Sequence, residues 1–355
     1  MIVLHIIPNN KLGGVPVVLR NLIISMPDFH HIIYGEIADE GMSLKFENSE
    51  IINGTTRQLK ISTILHLYSI INSNNIKLIH SHGKGPGFYS RLLKLFTKTK
   101  VVHTFHGFQN RFKFHKRFLY VIYEQLAVFL TYRLIALSNS EKNLIIKSLN
   151  FAKKKLRVVP NFYLHSNKPV KRKIGASKFV IGSIGRMCEQ KNQKIVIEIA
   201  KYFQNTKEIV FVMVGGMALE NPNYFDELQT DIRKYGLQNI ICYGPVESAA
   251  SLMSEFNIYL STSRWEGLPT VILEALDYGI PIVASSCVGN VDLIDDDIGI
   301  LVDTDDVIGY IRAIESFRNF SNEQLVALRI KQKLFLQYNF SIEGTRKDLT
   351  RIYLE

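Results

Sequence analysis

The chain has 355 residues, 46% of them hydrophobic and 21% charged, with a formal net charge of +11. That length exceeds the usual single core and makes two domains the default, while the composition is that of a globular protein and excludes a disordered chain. Cys188, Cys242 and Cys287 lie far apart without metal-type spacing, and read as buried free thiols in a reducing compartment.

The chain opens on Met1-Ile2-Val3-Leu4-His5-Ile6-Ile7-Pro8, which lacks a basic lead and a long apolar core. It reads as a first strand and not as a signal peptide, so the protein is expected in the cytoplasm. Pro8 to Gly14 then forms a loop, and Val15 to Ser25 has helix length. Further strands are expected at His31 to Tyr34, Leu78 to His80, Val101 to Thr104, Leu134 to Leu137 and Leu156 to Val159. Short continuous apolar strands alternating with helical segments indicate a parallel sheet covered on both faces, that is, a doubly wound α/β domain. The string Gly83-Lys84-Gly85-Pro86-Gly87 matches only part of a dinucleotide fingerprint, and is read as a tight turn before a helix from Phe88 to Phe96. Leu119 to Leu137 is the most apolar long segment, but Glu124 and Arg133 inside it make it a poor membrane span and a better buried or amphipathic helix.

Charge is uneven. Residues 1–165 carry 22 Lys and Arg against 8 Asp and Glu. The densest piece runs from Arg111 to Tyr120, where Arg111, Lys113, Lys116 and Arg117 interleave with aromatics. A solvated face, a surface for anionic lipid and a nucleic-acid patch all fit such a run, and without a recognition fold beside it nucleic acid is the weakest of the three.

Around Tyr163 to Lys178 the composition turns to Ser, Asn, Pro and Lys, which marks a linker. The strand-helix rhythm then restarts and gives a second α/β domain. Within it, Ser263-Arg264-Trp265-Glu266-Gly267-Leu268-Pro269-Thr270 leads from the strand-like Ile258-Tyr259-Leu260 into a helix, with Pro269 suited to the first turn. Amides around Gly267, Leu268 and Thr270, with the helix dipole behind them, favour a phosphate. Glu266 and Glu274 flank that helix start and suit hydroxyl groups on either side of a phosphate. Taken alone, a Glu pair at this spacing is ordinarily a cap and a solvated helix residue. Gly185-Arg186 ends another strand, with Lys191 five residues on, and an arginine fork and a lysine charge so placed converge on a pyrophosphate. Two surface cations at a helix start would look the same; it is the joint arrangement that points to a site.

Over nearly its whole length the chain resembles the retaining glycosyltransferases of the GT-B fold, family four. The resemblance rests on Gly13-Gly14, Thr104-Phe105-His106-Gly107, Val159-Pro160-Asn161, Gly185-Arg186 with Lys191, Val214-Gly215, Gly244, the stretch from Ser263 to Pro269, Glu274-Ala275, Gly279 and Pro281. It implies two Rossmann-like domains facing each other across a cleft: an acceptor-binding one over 1–165 joined by the last helix, about 341–355, and a nucleotide-sugar-binding one over 166–340. It also implies transfer from a nucleotide-sugar, UDP-linked before GDP-linked, to a glycan or polyprenyl-linked acceptor in surface polysaccharide assembly, at the inner face of the plasma membrane.

By the same resemblance Arg186 and Lys191 hold the diphosphate, Glu274 the ribose, and Glu266 the sugar hydroxyls, while His106 reaches the sugar. Gly185, Gly267, Leu268, Pro269 and Thr270 line the pyrophosphate, Gly244 and Val246 lie by the base, and Gly13 and Gly14 pass the phosphate and acceptor. No cofactor and no metal is expected, since the two cations supply the charge a divalent ion would bring; Asp295-Asp296-Asp297 reads as a charged turn. Val15-Pro16 and His106-Gly107 depart from patterns common among relatives, which leaves acceptor contacts open. A sugar-nucleotide epimerase or hydrolase, or a non-catalytic binding protein, are the alternatives.

Overall fold

The computed structural model describes residues 1–355 apart from 12, 39–42, 109–113, 163–177, 218–220 and 247–248, and apart from the side chains of 114–117 and 249–250. The chain divides into two compact units, residues Met1–Phe162 with Ser341–Glu355, and residues Tyr163–Phe340. The Ser-Asn-Pro-Lys stretch read as a linker lies almost wholly outside the described residues.

Unit 1 comprises β1 (Ile2–Asn9), α1 (Gly14–Ser25), β2 (His30–Glu36), β3 (Ser49–Asn53), α2 (Ile61–Ser73), β4 (Leu78–His82), α3 (Lys84–Lys94), β5 (Lys100–Thr104), α4 (Phe114–Ala127), β6 (Arg133–Ala136), α5 (Asn139–Ser148) and β7 (Leu156–Val158). Its sheet is parallel, in the order β3-β2-β1-β4-β5-β6-β7. Strand alternation sorts the first strand between two cores. Val3 and Ile7 pack with Leu19, Leu22, Leu349, Ile352 and Tyr353 on one face, and Leu4 and Ile6 with Leu67, Ile70, Tyr89 and Leu93 on the other.

Unit 2 comprises β8 (Phe179–Ile184), α6 (Gln193–Tyr202), β9 (Ile209–Val214), α7 (Tyr224–Lys234), β10 (Ile240–Tyr243), α8 (Ala249–Leu252), β11 (Ile258–Ser261), α9 (Thr270–Tyr278), β12 (Ile282–Ser285), β13 (Ile300–Val302), α10 (Val307–Arg318) and α11 (Asn322–Asn339). Its parallel sheet runs β10-β9-β8-β11-β12-β13, the doubly wound order with a reversal between β8 and β11. The last helix, α12 (Ile342–Leu354), belongs to unit 1, where Tyr353 and Leu349 are buried and Thr345 Oγ1 donates to Pro160 O at 3.2 Å.

Several expectations are corrected. Leu119 to Leu137 is not one helix: α4 stops at Ala127 and β6 begins at Arg133. Glu124 and Arg133 serve different elements, which explains why the segment tolerates both. The glycine-rich string does not precede its helix but opens it. Gly83 at φ 82° makes the turn and α3 starts at Lys84, because Gly85 and Gly87 let the helix lie close; a Cβ on Gly85 would come within 2.4 Å of Thr56 O and one on Gly87 within 2.5 Å of the His103 ring. The edge strand β3 and the helix α2 carry no pattern that sequence reading picked out.

Glu124 makes a buried ion pair. Its Oε2 lies 3.1 Å from Arg91 Nη2, both side chains are 1% exposed, and Arg91 Nε donates to Thr131 Oγ1 at 3.0 Å. Removing one partner of such a pair leaves an uncompensated buried charge. Arg91→Met is expected to cost about 3–5 kcal/mol in denaturant unfolding, and Arg91→Met with Glu124→Gln clearly less. Equal losses in the single and double variants would show that the pair is not what α3 and α4 depend on.

Candidate active site

In unit 2 the topology decides where chemistry can sit. From the neighbouring strands β8 and β11 the chain winds in opposite directions, and the crevice beyond their carboxyl ends is where such sheets take ligands. Residues 185–192 leave β8 for α6, and residues 262–269 leave β11 for α9. The two loops are tied together: Arg264 N donates to Gln190 O at 2.8 Å, Thr262 Oγ1 to Lys191 O at 2.9 Å, and Gln190 Nε2 to Trp265 O at 2.9 Å.

The tie brings Lys191 and Glu266 together. Lys191 Nζ lies 2.5 Å from Glu266 Oε1, which also accepts from Ser263 Oγ at 2.7 Å. Their side chains are only 18% and 9% exposed, so each ion needs the other. Gly185 gives the lysine stem its room, since a Cβ there would lie 3.2 Å from Lys191 Cε. Gly289 at φ 90° backs the other loop, and a Cβ there would meet Gly267 O at 2.8 Å. Arg186 is exposed beside them, with Nη2 3.4 Å from Gln190 Oε1.

Helix α9 begins at Thr270 with Pro269 as its N-cap, one position earlier than the first helical turn, and no side chain caps it. Gly267, Leu268 and Pro269 are buried, so the helix start opens at the half-buried Thr270. Glu274 is half-buried on the same helix. Burial raises the Tyr259 phenol far above its ordinary value, and the Glu266 and Glu274 carboxylates add to the rise, which places both near one ring of β11. Gly244 and Val246 follow β10, two strands from β8 at the same carboxyl side of the sheet. Gly244 is exposed, and a Cβ on it would meet nothing within 4 Å.

Unit 1 holds the other expected residues. Gly13 is the extended N-cap of α1 and Gly14 its first residue, and neither is enforced by a close neighbour. His106 follows β5 in the left-handed region at φ 55°, a conformation that side chains rarely adopt, and Gly107 continues at φ 99°. The carboxylate of the buried Glu141 holds this loop: Oε1 accepts from Gly107 N and Phe108 N, both at 2.7 Å, and Oε2 from Leu137 N at 2.7 Å. Ser138 Oγ caps α5 by accepting from Glu141 N at 3.1 Å.

His106 lines a small pocket partly open to solvent, with His80, His82, Asn21, Asn161 and Thr345 among the other lining residues. Of the basic patch, Arg111 and Lys113 lie outside the described residues, and Lys116 and Arg117 lie on α4 with side chains that also fall outside them.

Sequence reasoning missed Glu141, Gln190, Ser263 as a ligand of Glu266, and a set of buried histidines. For Glu141 a signal existed, the Ser-x-x-Glu capping spacing from Ser138. For the histidines it was the strand alternation that puts His80 and His82 on one face.

Comparison with known proteins decides the family. Residues 12–163 match the model of Glycosyltransferase Family 4, and residues 166–329 that of Glycosyl transferases group 1. The chain is 31% identical over 273 residues to an Escherichia coli UDP-Gal:alpha-D-GlcNAc-diphosphoundecaprenol alpha-1,3-galactosyltransferase, covering 72% of this chain and 69% of that protein. It belongs to the GT-B family 4 glycosyltransferases. Another relative of this glycosyltransferase is the Staphylococcus aureus capsular polysaccharide biosynthesis glycosyltransferase CapM, 23% identical over 305 residues and 80% of each chain. Its fold is shared with Anabaena HepE, solved with UDP and glucose, at a TM-score of 0.84 and 16% identity over 99% of both chains.

The buried histidines of the glycosyltransferase make unit 1 sensitive to acid. Burial lowers the pKa of His5, His31, His80, His82 and His103 below the ordinary 6.5, and pushes His106 down to about 4. Below pH 6.5 the unfolded chain binds protons that the folded chain refuses, so this stabilisation is complete above 6.5 and is lost as the pH falls. On the order of 1 kcal/mol is expected to go for each such histidine by pH 5.5, above the carboxylate range. Melting curves at pH 7.5, 6.5 and 5.5 measure it, and a melting temperature unchanged to pH 5.5 contradicts it.

Proposed function

We propose that this glycosyltransferase moves a hexose from a nucleotide-sugar, UDP-linked in the first instance and GDP-linked in the second, with retention at the anomeric carbon. The acceptor is a glycan or polyprenyl-linked glycan in bacterial surface polysaccharide assembly. The observation that carries this reading is the convergence of Arg186, Lys191, Glu266, the uncapped start of α9 and Glu274 at the reversal point of the unit 2 sheet. The Escherichia coli relative is named for a UDP-galactose donor and a diphosphoundecaprenol acceptor, and HepE was solved with UDP and glucose.

In this reading Lys191 and Glu266 neutralise each other until donor arrives. The diphosphate then takes over Lys191, with Arg186 as its fork, and Glu266 turns to the sugar hydroxyls while Glu274 takes the ribose. Charge that grows on the leaving diphosphate is met by fixed cations and amide dipoles, which is electrostatic catalysis without a metal. His106, Gly13 and Gly14 serve the sugar and the acceptor from unit 1, and Gly185, Gly244, Val246, Gly267, Leu268, Pro269 and Thr270 shape the donor site.

A thermal-shift panel of UDP-, GDP-, ADP- and dTDP-sugars tests the donor. UDP-sugars are expected to raise the melting temperature of wild type, and Glu274→Ala to lose the shift. Arg186→Ala is expected to lower kcat by about 100- to 1000-fold with the fold intact. Shifts with no nucleotide-sugar, or full activity in Arg186→Ala, would remove this assignment of the unit 2 loops.

The same reading places the enzyme on an anionic membrane. No helix among the described residues is long and apolar enough to cross one. Helix α4 instead exposes Phe118, Ile122 and Leu126 at a spacing of four, with Leu119 beside them and Phe129 just beyond. An exposed apolar row directly following the basic run Arg111 to Arg117 is the pairing that seats a helix in a lipid interface. Neutralising Arg111, Lys113, Lys116 and Arg117 is expected to weaken flotation with anionic vesicles by about fivefold per charge. Phe118→Ser with Leu126→Ser should weaken binding to anionic and neutral vesicles alike. Unchanged flotation in both variants counts against a membrane seat.

A further inference from the structure

Four imidazoles of unit 1 form one hydrogen-bonded chain. His31 Nε2 lies 3.1 Å from Met26 O, His31 Nδ1 lies 3.0 Å from His5 Nε2, His5 Nδ1 lies 3.3 Å from His82 Nε2, and His82 Nδ1 lies 3.0 Å from His106 Nε2. His5, His31 and His82 are at most 1% exposed, so water does not stand in for a missing partner. The chain therefore has a direction. A backbone carbonyl only accepts, so His31 must carry its proton on Nε2. A neutral ring has one donor and one acceptor nitrogen, so His31 Nδ1 accepts and His5 donates through Nε2. The same step repeats at His82 and ends at His106, whose Nε2 donates and whose Nδ1 keeps its lone pair. His106 Nδ1 makes no hydrogen bond among the described residues, and the ring lines the pocket of unit 1.

We infer that His31, His5 and His82 are positioning residues that fix the proton of His106 on Nε2, so that His106 meets its ligand through Nδ1 as a hydrogen-bond acceptor. The ligand group it selects is then a donor, such as a sugar hydroxyl, and not a phosphate oxygen. The identity of that donor as a sugar hydroxyl rests on the proposed function; the protonation pattern does not. Ring nitrogens of His5, His80 and His82 also lie within 4.8 Å of one another, near enough to suggest a metal. Both nitrogens of each ring are already engaged, those of His80 by Tyr353 Oη at 2.6 Å and Thr104 Oγ1 at 2.8 Å, and the hydrogen bonds account for the cluster without one.

Nitrogen NMR of protein labelled in the histidine rings tests the chain, with the His106 signals assigned by their loss in His106→Gln. In wild type, His31, His5, His82 and His106 are each expected to be protonated on Nε2 and bare on Nδ1. His5→Leu cuts the chain: His82 loses the acceptor for its Nε2 proton, turns to donating through Nδ1, and forces the His106 proton onto Nδ1, two rings from the substitution. His5→Gln is expected to keep the wild-type pattern, because its amide N–H donates to His31 and its carbonyl accepts from His82. With donor and acceptor present, His5→Leu should lose about three- to tenfold in kcat/KM and His5→Gln should recover it, the size expected for one hydrogen bond.

Any of the four wild-type rings found protonated on Nδ1, or a zinc ion bound stoichiometrically with His5 and His82 both stripped of protons, overturns the inference. If His5→Leu fails to fold, the wild-type spectrum alone decides. The expected protonation pattern with no rate difference between folded His5→Leu and His5→Gln upholds the fixed proton and removes the sugar contact.

Discussion

A parallel sheet covered on both faces confines polar chemistry to the carboxyl ends of its strands, and both units of this glycosyltransferase are built on that constraint. In unit 2 nearly everything between the loops is apolar: Ile181, Phe211, Met213, Leu260 and Val283 are all at most 1% exposed. Lys191 and Glu266, with the exposed Arg186 beside them, lie on the loops that follow β8 and β11. The glycines follow from the same crowding. Gly215, at φ 152°, lies so close to Gly185 that a Cβ would stand 2.0 Å from its carbonyl oxygen, which leaves one residue type at that position.

Charge inside this frame is handled in two ways. Unit 2 uses a mutual pair, Lys191 with Glu266, whose components are separately costly to bury and together satisfy each other. Unit 1 has a buried pair of its own in Arg91 with Glu124, but the sheet face that carries its histidines breaks the rule of an apolar interior without charge. Burial holds its imidazoles neutral, and neutral rings with one donor and one acceptor each can be satisfied end to end. The face that carries them is covered by α1 and α12, and Tyr353 of α12 bonds His80 directly, so the helix that returns from the end of the chain closes the polar interior of the first unit.

The sheet architecture was legible because its strands are continuous apolar runs: Ile2 to Ile7, Val101 to Thr104 and Ile258 to Leu260 all lie within strands of the structure. Where local signals were weak, sequence reading was silent or wrong. β3 is a polar edge strand, Ser-Glu-Ile-Ile-Asn, without alternation strong enough to stand out. The junction of α4 with β6 is apolar on both sides, and periodicity cannot divide a helix from a following strand there. In the candidate site, Arg186, Lys191, Glu266 and Glu274 stood out as a spacing, but the bond between Lys191 and Glu266 did not, because it joins loops 75 residues apart. The imidazole chain was hidden for the same reason: its links span 26, 77 and 24 residues, and only the sheet order brings them into line.

His106 shows what such long-range assembly achieves. Its left-handed backbone costs on the order of 1 kcal/mol and survives only because other groups over-determine it. Glu141 fixes the backbone from one side through Gly107 and Phe108, and His82 fixes the ring from the other. A side chain held at both ends has little rotamer freedom left. The buried chain behind it adds a chemical constraint to that geometric one, because a carbonyl at Met26 cannot reverse its role. Both the place of the imidazole and the site of its proton are therefore set by residues far from it in sequence.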